Sequence, residues 1–435
     1  MKRALLALLL ALAPAPALAQ ETIALVGGRV LPGDGAPIEA ATVVVRGDRI
    51  VGVTPGGAPP AGARVIDCAG AVITPGFIGT QTAIGLVEID LERSTSDRAP
   101  EGEDADPIRA SFGAIDGYNP ASTLIPVARV AGVTSVVSTP SGGLVSGTSA
   151  IFDLLGATAA DALVDDTSGL HVDLSDSGIA AGGGARSAAI GRLREALEDA
   201  RLYRQQRAAF QRRGVRELSI SPLDLERLSA ALAGDFPVVV HVSRASDILR
   251  IIELARTYRL RLVLAGAEEG GASPRRSPRP TCPVIVQPLT NLPSGLATLH
   301  SRYDNAALLH RAGVRLVLTS GGPHDLRNLR QEAGNAVAAG LPADAALRAL
   351  TAEPARVFGM GDRYGTIAPG RVANLVVWTG DPFELTTWAR HVLIRGREVP
   401  MRSRQTLLFE RYRRLESVPR GQRGLPRVEP REERR

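Results

Sequence analysis

Nearly 300 residues of this chain alternate between apolar runs of parallel-strand length and stretches of helical period, and two sets of short strands bracket them. The runs fall at 133–138, 236–242, 261–264, 283–287 and 315–319. Between them, Ile190, Leu193, Leu197, Ala200 and Tyr203 recur at three- and four-residue spacing, which predicts a helix with Gly214 as its stop. Residues 247–258, 301–312 and 325–340 repeat the pattern. Such alternation buries a parallel sheet under helices, as a (β/α) barrel or a doubly wound sheet, and length favours the barrel. The bracketing strands are Thr42 to Val45, turning at Gly47-Asp48 into Arg49 to Val53, and later 373–378 and 391–394. The predicted class is α/β: a TIM-like (β/α) barrel, 73–360, inserted into a small composite β-sandwich built from 20–72 and 361–402. Irregular stretches interrupt the rhythm at 83–120, 173–186 and 266–282, and Gly182-Gly183-Gly184 reads as a flexible loop rather than a phosphate cradle.

Both ends differ from this body. Lys2 and Arg3 precede an apolar run at 4–13 and then Ala17-Leu18-Ala19, the pattern of a secretory leader cleaved before Gln20. The run is about half the roughly 20 residues a membrane-spanning helix needs. The expected location is therefore periplasmic or secreted, with no membrane span. At the other end, 402–435 carries eleven arginines and five glutamates, equal to the whole formal charge of +6. The rest of the processed chain is near neutral, so the basic tail (403–435) accounts for the high pI, and no nucleic-acid partner is expected of an exported protein. Leu408, Tyr412 and Leu415 predict a docked amphipathic helix at the tail's start. Two cysteines among 435 residues exclude a disulfide scaffold. Cys68 and Cys282 are either a pair or two inert thiols.

Three ordered motifs carry a family resemblance. Ile73-Thr74-Pro75-Gly76-Phe77-Ile78 resembles the approach to the first barrel strand of the amidohydrolase superfamily. The segment from Gly365 through Pro369-Gly370-Arg371 to Val377-Trp378 resembles that superfamily's return to its small sheet domain. His241-Val242-Ser243-Arg244-Ala245-Ser246-Asp247-Ile248 is similar to the fifth-strand region of the imidazolonepropionase-like branch. The resemblance spans roughly 22–405. It implies hydrolysis of amide and cyclic-amide C–N bonds by one or two divalent metals at the C-terminal face of the barrel, where a metal lowers the pKa of bound water to about 7.

The implied ligand set is largely missing. Where the family has Asp-x-His-x-His after the first motif, this chain has Gly79, Gln81 and Ala83. The strand-six histidine falls at Gly266 and the strand-eight aspartate at Gly321, leaving His241 alone in a ligand position. Many two-metal members bridge their ions with a carboxylated lysine, yet the only lysine here is Lys2, in the leader. No cofactor is therefore expected; zinc would require a non-standard site. The pocket candidates are Gln81, His241, Arg244, Glu268, His324 and Asp325, and His171 has no assigned place. No Gly-x-Ser-x-Gly elbow surrounds Ser141 or Ser146, and Glu88 and Asp90 are loop acids. The reading is a non-catalytic protein that binds an amide-like small molecule or partners a metal-competent homologue. The alternative is a hydrolase rebuilt around His241, His324, Asp325 and Glu268.

Overall fold

A β-bulge sets the geometry of the small sheet. In the computed structural model, which describes residues 21–413 except 101, 103–104, 213–217 and 272–281, β1 (Thr22–Val30) changes register at Gly27 and Gly28, with Gly27 at φ +81°. The bulge bends β1 so that its first half pairs in parallel with β4 (Arg64–Asp67) and its end with β5 (Val72–Pro75). On its other side β1 pairs antiparallel with β2 (Ile38–Arg46), which turns at Gly47-Asp48 into β3 (Arg49–Pro55). Residues 1–20, where the leader is expected, and the tail beyond 413, including Leu415, lie outside the described residues.

The chain then leaves this sheet through Gly76 and enters a second one. Its strands, in spatial and chain order, are β6 (Phe77–Thr82), β7 (Val133–Ser138), β8 (Val145–Asp153), β9 (Leu163–Asp173), β10 (Val238–Val242), β11 (Leu262–Gly266), β12 (Val284–Val286) and β13 (Leu316–Leu318). All neighbours are parallel except at β8, which runs antiparallel to both β7 and β9. The sheet is a nearly closed barrel: the Thr319 hydroxyl beyond β13 donates to the Thr80 carbonyl on β6. Its interior is apolar, with Ile78, Val137, Ile151, Val239, Ile285 and Val317 contributed by six of the strands. Phe358, Met360 and Tyr364 pack into the same cluster.

From the barrel the chain returns to the first sheet. There β14 (Leu375–Trp378) pairs antiparallel with β5, and β15 (Ala389–Ile394) and β16 (Arg397–Glu398) extend the edge. The N- and C-terminal segments thus share one sheet, and everything between is an insertion.

The joint between sheet and barrel is polar at its centre. Asp153 at the end of β8 is fully buried, and Arg395 pairs with it. Its carboxylate also accepts from Ser135 and Asn374, each at 2.8 Å, and from Tyr364 at 3.0 Å. Beside this network Trp378 stacks on Phe77 and donates to the Thr74 hydroxyl at 2.9 Å.

Two expectations change in detail. The helix predicted around Ile190 runs Arg186–Gln205 and is capped at Gln206, well before Gly214, which lies outside the described residues. The tail begins with a helix, Arg404–Tyr412, that lies beside Ala121, Thr123 and Pro126 yet buries no residue; Leu408 is 42% exposed and Tyr412 52%. It is therefore only loosely docked. Cys68 and Cys282 are both free, in the small sheet and beneath the barrel respectively. Among the described residues no helix is long and apolar enough to cross a membrane.

Candidate functional site

Strand register builds the barrel mouth in two tiers. Asp173 on β9 stands opposite His241 on β10, which stands opposite Ala265 on β11. One tier below, His171 stands opposite Val239. Side chains two residues apart on a strand share a face, so His171 and Asp173 both look into the barrel. The resulting cavity of about 300 Å³ is lined by Gln81, Asp173, His171, His241, Glu268 and Gln287, together with Thr139, Ser141 and Thr319.

The charged pair at the rim is His241 with Asp173, Nδ1 to Oδ1 3.4 Å, a long contact. Nearly half of the imidazole surface stays open. Confinement in the barrel opposes its charge, but the Asp173 carboxylate, and then Glu268, outweigh this and raise its pKa above the ordinary histidine value. Burial likewise opposes the charge of Asp173. The hydrogen bonds from His241 and Ser175, the latter at 2.8 Å from backbone N–H, prevail and hold the carboxyl below its usual range.

His171 is different in kind. It is buried, its Nε2 has no hydrogen-bond partner, and desolvation lowers its pKa to about 3. It is a neutral imidazole at physiological pH. Glu268 Oε2, in the same lining, is also buried without a partner among the described residues. Buried polar atoms normally find partners, so these two leave the lining able to take a polar guest. No lysine or arginine lines the cavity.

The structure brings together three of the sequence candidates, Gln81, His241 and Glu268, and not the other three. Arg244 is exposed at the start of helix Ala245–Tyr258. His324 faces Asp90 at 3.7 Å, and Asp325 is exposed ahead of a short 3₁₀ turn. None of the three lines the cavity. Of the loop acids, Glu88 accepts from the Thr123 backbone N–H and hydroxyl, a structural role, and Asp90 pairs with Arg98. Glu269 is also structural, accepting from the backbone N–H groups of Ala245 and His300. Sequence reasoning missed Asp173 and left His171 unplaced, because it did not recognise β9. Their i, i+2 spacing just ahead of an irregular stretch was the available signal.

The donors present do not fit a catalytic metal. Among the described residues no group of three or more His, Cys, Asp and Glu is placed so that it could hold a metal ion. Side-chain ends also lie close to three glycines at positions where the resemblance implies an acid, a histidine and an aspartate. A Cβ on Gly79 would lie 2.5 Å from Leu326 Cδ1, one on Gly266 2.9 Å from Glu268 Oε2, and one on Gly321 2.7 Å from Gln287 Oε1. Gly266 and Gly321 also adopt φ of +82° and +77°, the left-handed region that glycine takes without steric cost.

The amidohydrolase family's sequence profile matches residues 230–399. No curated protein matches the chain. Among solved structures, an amidohydrolase from Thermotoga maritima MSB8 aligns with a TM-score of 0.78 at 27% identity, covering 87% of this chain and 100% of that one. A molinate hydrolase aligns with a TM-score of 0.55 at 20% identity, covering 88% and 96% of the two chains. Phenylurea hydrolase B gives 0.54 at 17%, covering 88% and 97%. The latter two are likenesses of fold.

Proposed function

The chain belongs to the amidohydrolase superfamily, and from that premise we propose that it is an exported, non-catalytic relative of C–N bond hydrolases that binds a small amide-like molecule in its barrel mouth. One observation carries the reading: glycines occupy three key positions of the family's site, and Leu326, Glu268 and Gln287 occupy the space their side chains would need. Restoring those side chains would require the ends of Leu326, Glu268 and Gln287 to move aside.

What replaces the metal site supports binding. The rim offers the carboxylates of Asp173 and Glu268 to N–H groups, and the floor offers the His171 imidazole, whose Nε2 has no partner among the described residues. An amide carries both the donors and the acceptor that such a lining would satisfy. Export rests on the leader-like residues 1–19. The same loss of ligands suits a subunit that partners a metal-competent relative.

The test is metal analysis of dialysed protein purified from an export-competent host, with calorimetric titration and turnover assays of dipeptides, cyclic amides and lactams. Binding without turnover, with substoichiometric metal, is the expected result. Stoichiometric zinc, manganese or iron bound through His241 would overturn the reading. So would turnover abolished by His241→Ala, which would favour a hydrolase built on His241, Asp173 and Glu268.

A further inference from the structure

The opposite end of the barrel holds a second cavity, of about 480 Å³, with a chemistry unlike the first. Five arginines line it, Arg256, Arg259, Arg261, Arg315 and Arg356, and among the described residues no acidic one does. They reach it from separate parts of the fold. Arg256 lies in the last turn of helix Ala245–Tyr258 and Arg259 caps that helix. Arg261 and Arg315 directly precede β11 and β13, and Arg356 comes from helix Ala352–Val357.

Local structure accounts for part of this charge. Arg356 is neutralised by Asp34 and by Glu353 at 2.8 Å. Arg261 donates to the carbonyls of Gly234 and Asp235, at 3.0 and 3.3 Å, which fixes its position and leaves its charge. Arg256 suits the negative end of its helix. Arg315 has no such reason. Among the described residues none of Arg256, Arg259 and Arg315 has an ion-pair partner. Arg259 also adopts φ +55° at a helix end where glycine is the usual occupant, so a cation is kept there against a backbone preference. Strained residues of this kind concentrate where function holds them.

We propose that this basin is a binding site for a multivalent phosphate-type oxyanion, independent of the barrel mouth. Guanidinium groups present paired N–H donors that match phosphate oxygens, and like charges gathered on a concave wall raise the local potential that draws such an anion in. The floor beneath them is apolar, with Ile252, Leu262 and Val357 among its residues, which lowers the competing solvation of the ion pairs.

The experiment is calorimetric titration of the full chain with inorganic tripolyphosphate, at fixed ionic strength held by sodium chloride. Saturable one-to-one binding is expected, weakened at least tenfold in Arg256→Gln/Arg315→Gln and unchanged in the tail variant Arg420→Gln/Arg423→Gln. Circular dichroism checks that both variants are folded, and Arg315→Lys, which keeps the charge, should bind with intermediate affinity. Absence of saturable binding would overturn the proposal. So would binding that survives the double basin variant, or that is lost with the tail arginines instead.

Discussion

Replacing Arg395 with alanine removes the cation paired with a fully buried carboxylate, Asp153, at the joint between sheet and barrel. It also deletes donors to the carbonyls of Asp161, Ala162 and Leu163, at 2.7, 3.1 and 3.1 Å. Breaking a buried pair by taking away one partner costs about 3–5 kcal/mol, because the other charge is stranded in a poor solvent. Here Ser135, Asn374 and Tyr364 still donate to the carboxylate. Those neutral bonds soften the loss and place the expected cost of Arg395→Ala near the lower end, about 3 kcal/mol. Removing Asp153 as well leaves no charge to strand, so the double variant should be less damaged than the sum of the single ones by about 1–3 kcal/mol. Urea unfolding of the four proteins at pH 7 measures this, read from midpoints at constant slope. A loss below about 1 kcal/mol for Arg395→Ala, or a cycle additive within about 0.5 kcal/mol, would show that the pair does not couple the two parts of the fold.

The barrel mouth yields further expectations. Because the folded-state pKa of His171 is lowered to about 3, the folded protein binds fewer protons there than the unfolded chain does. Stability should therefore fall as pH drops below about 6.5, by roughly 2 kcal/mol at pH 5, and His171→Leu should remove that slope in acid-unfolding curves; equal slopes would refute the assignment. His241 carries the opposite sign, since its raised pKa adds stability that is fully present below about 6.5 and is lost as pH rises through its folded value. His241→Gln should thus be less stable than wild type at pH 5.5, with the gap closing by about pH 9 in paired urea titrations. Gly321→Asp should cost about 1–3 kcal/mol from left-handed strain and its clash with Gln287. The combined variant Gln81→His/Ala83→His/Gly266→His/Gly321→Asp should take up no stoichiometric zinc, and uptake would refute the reading that the space is occupied. Gly76→Ala would set a Cβ 2.1 Å from Thr134 Oγ1, so overpacking should destabilise it by about 1–3 kcal/mol, partly rescued by Thr134→Gly; an unchanged melting temperature would contradict the close approach.

The motifs that made the fold legible turn out to lie along the joint. Thr74 accepts the Trp378 indole, Gly76 lets β6 pass Thr134, and Asn374 binds Asp153 and Ser135. Each is a requirement of the way sheet meets barrel, fixed by contiguous residues, so it survives in sequence whatever chemistry the barrel performs. The site was less legible because much of it hangs on β9, and β8 and β9 carry no pattern that sequence alone can read. All nine residues of β8 are buried, so no polar face alternates with an apolar one. Small polar residues fill both strands and satisfy one another, as in the Ser149–Ser168 contact at 2.9 Å. Such strands are specified by their neighbours rather than by propensity. Missing β9 hid the partnership of Asp173 with His241 and the placement of His171. The residues Gln81, Ala83, Gly266 and Gly321, which stand where the resemblance implies ligands, are legible one by one, but what lies beside them depends on contacts between distant positions. Gln287 lies beside Gly321 and Leu326 beside Gly79, neighbours that are far apart in the chain. The contiguous motifs therefore report how this chain folds, whereas the character of its barrel mouth is set by contacts between strands that only the fold brings together.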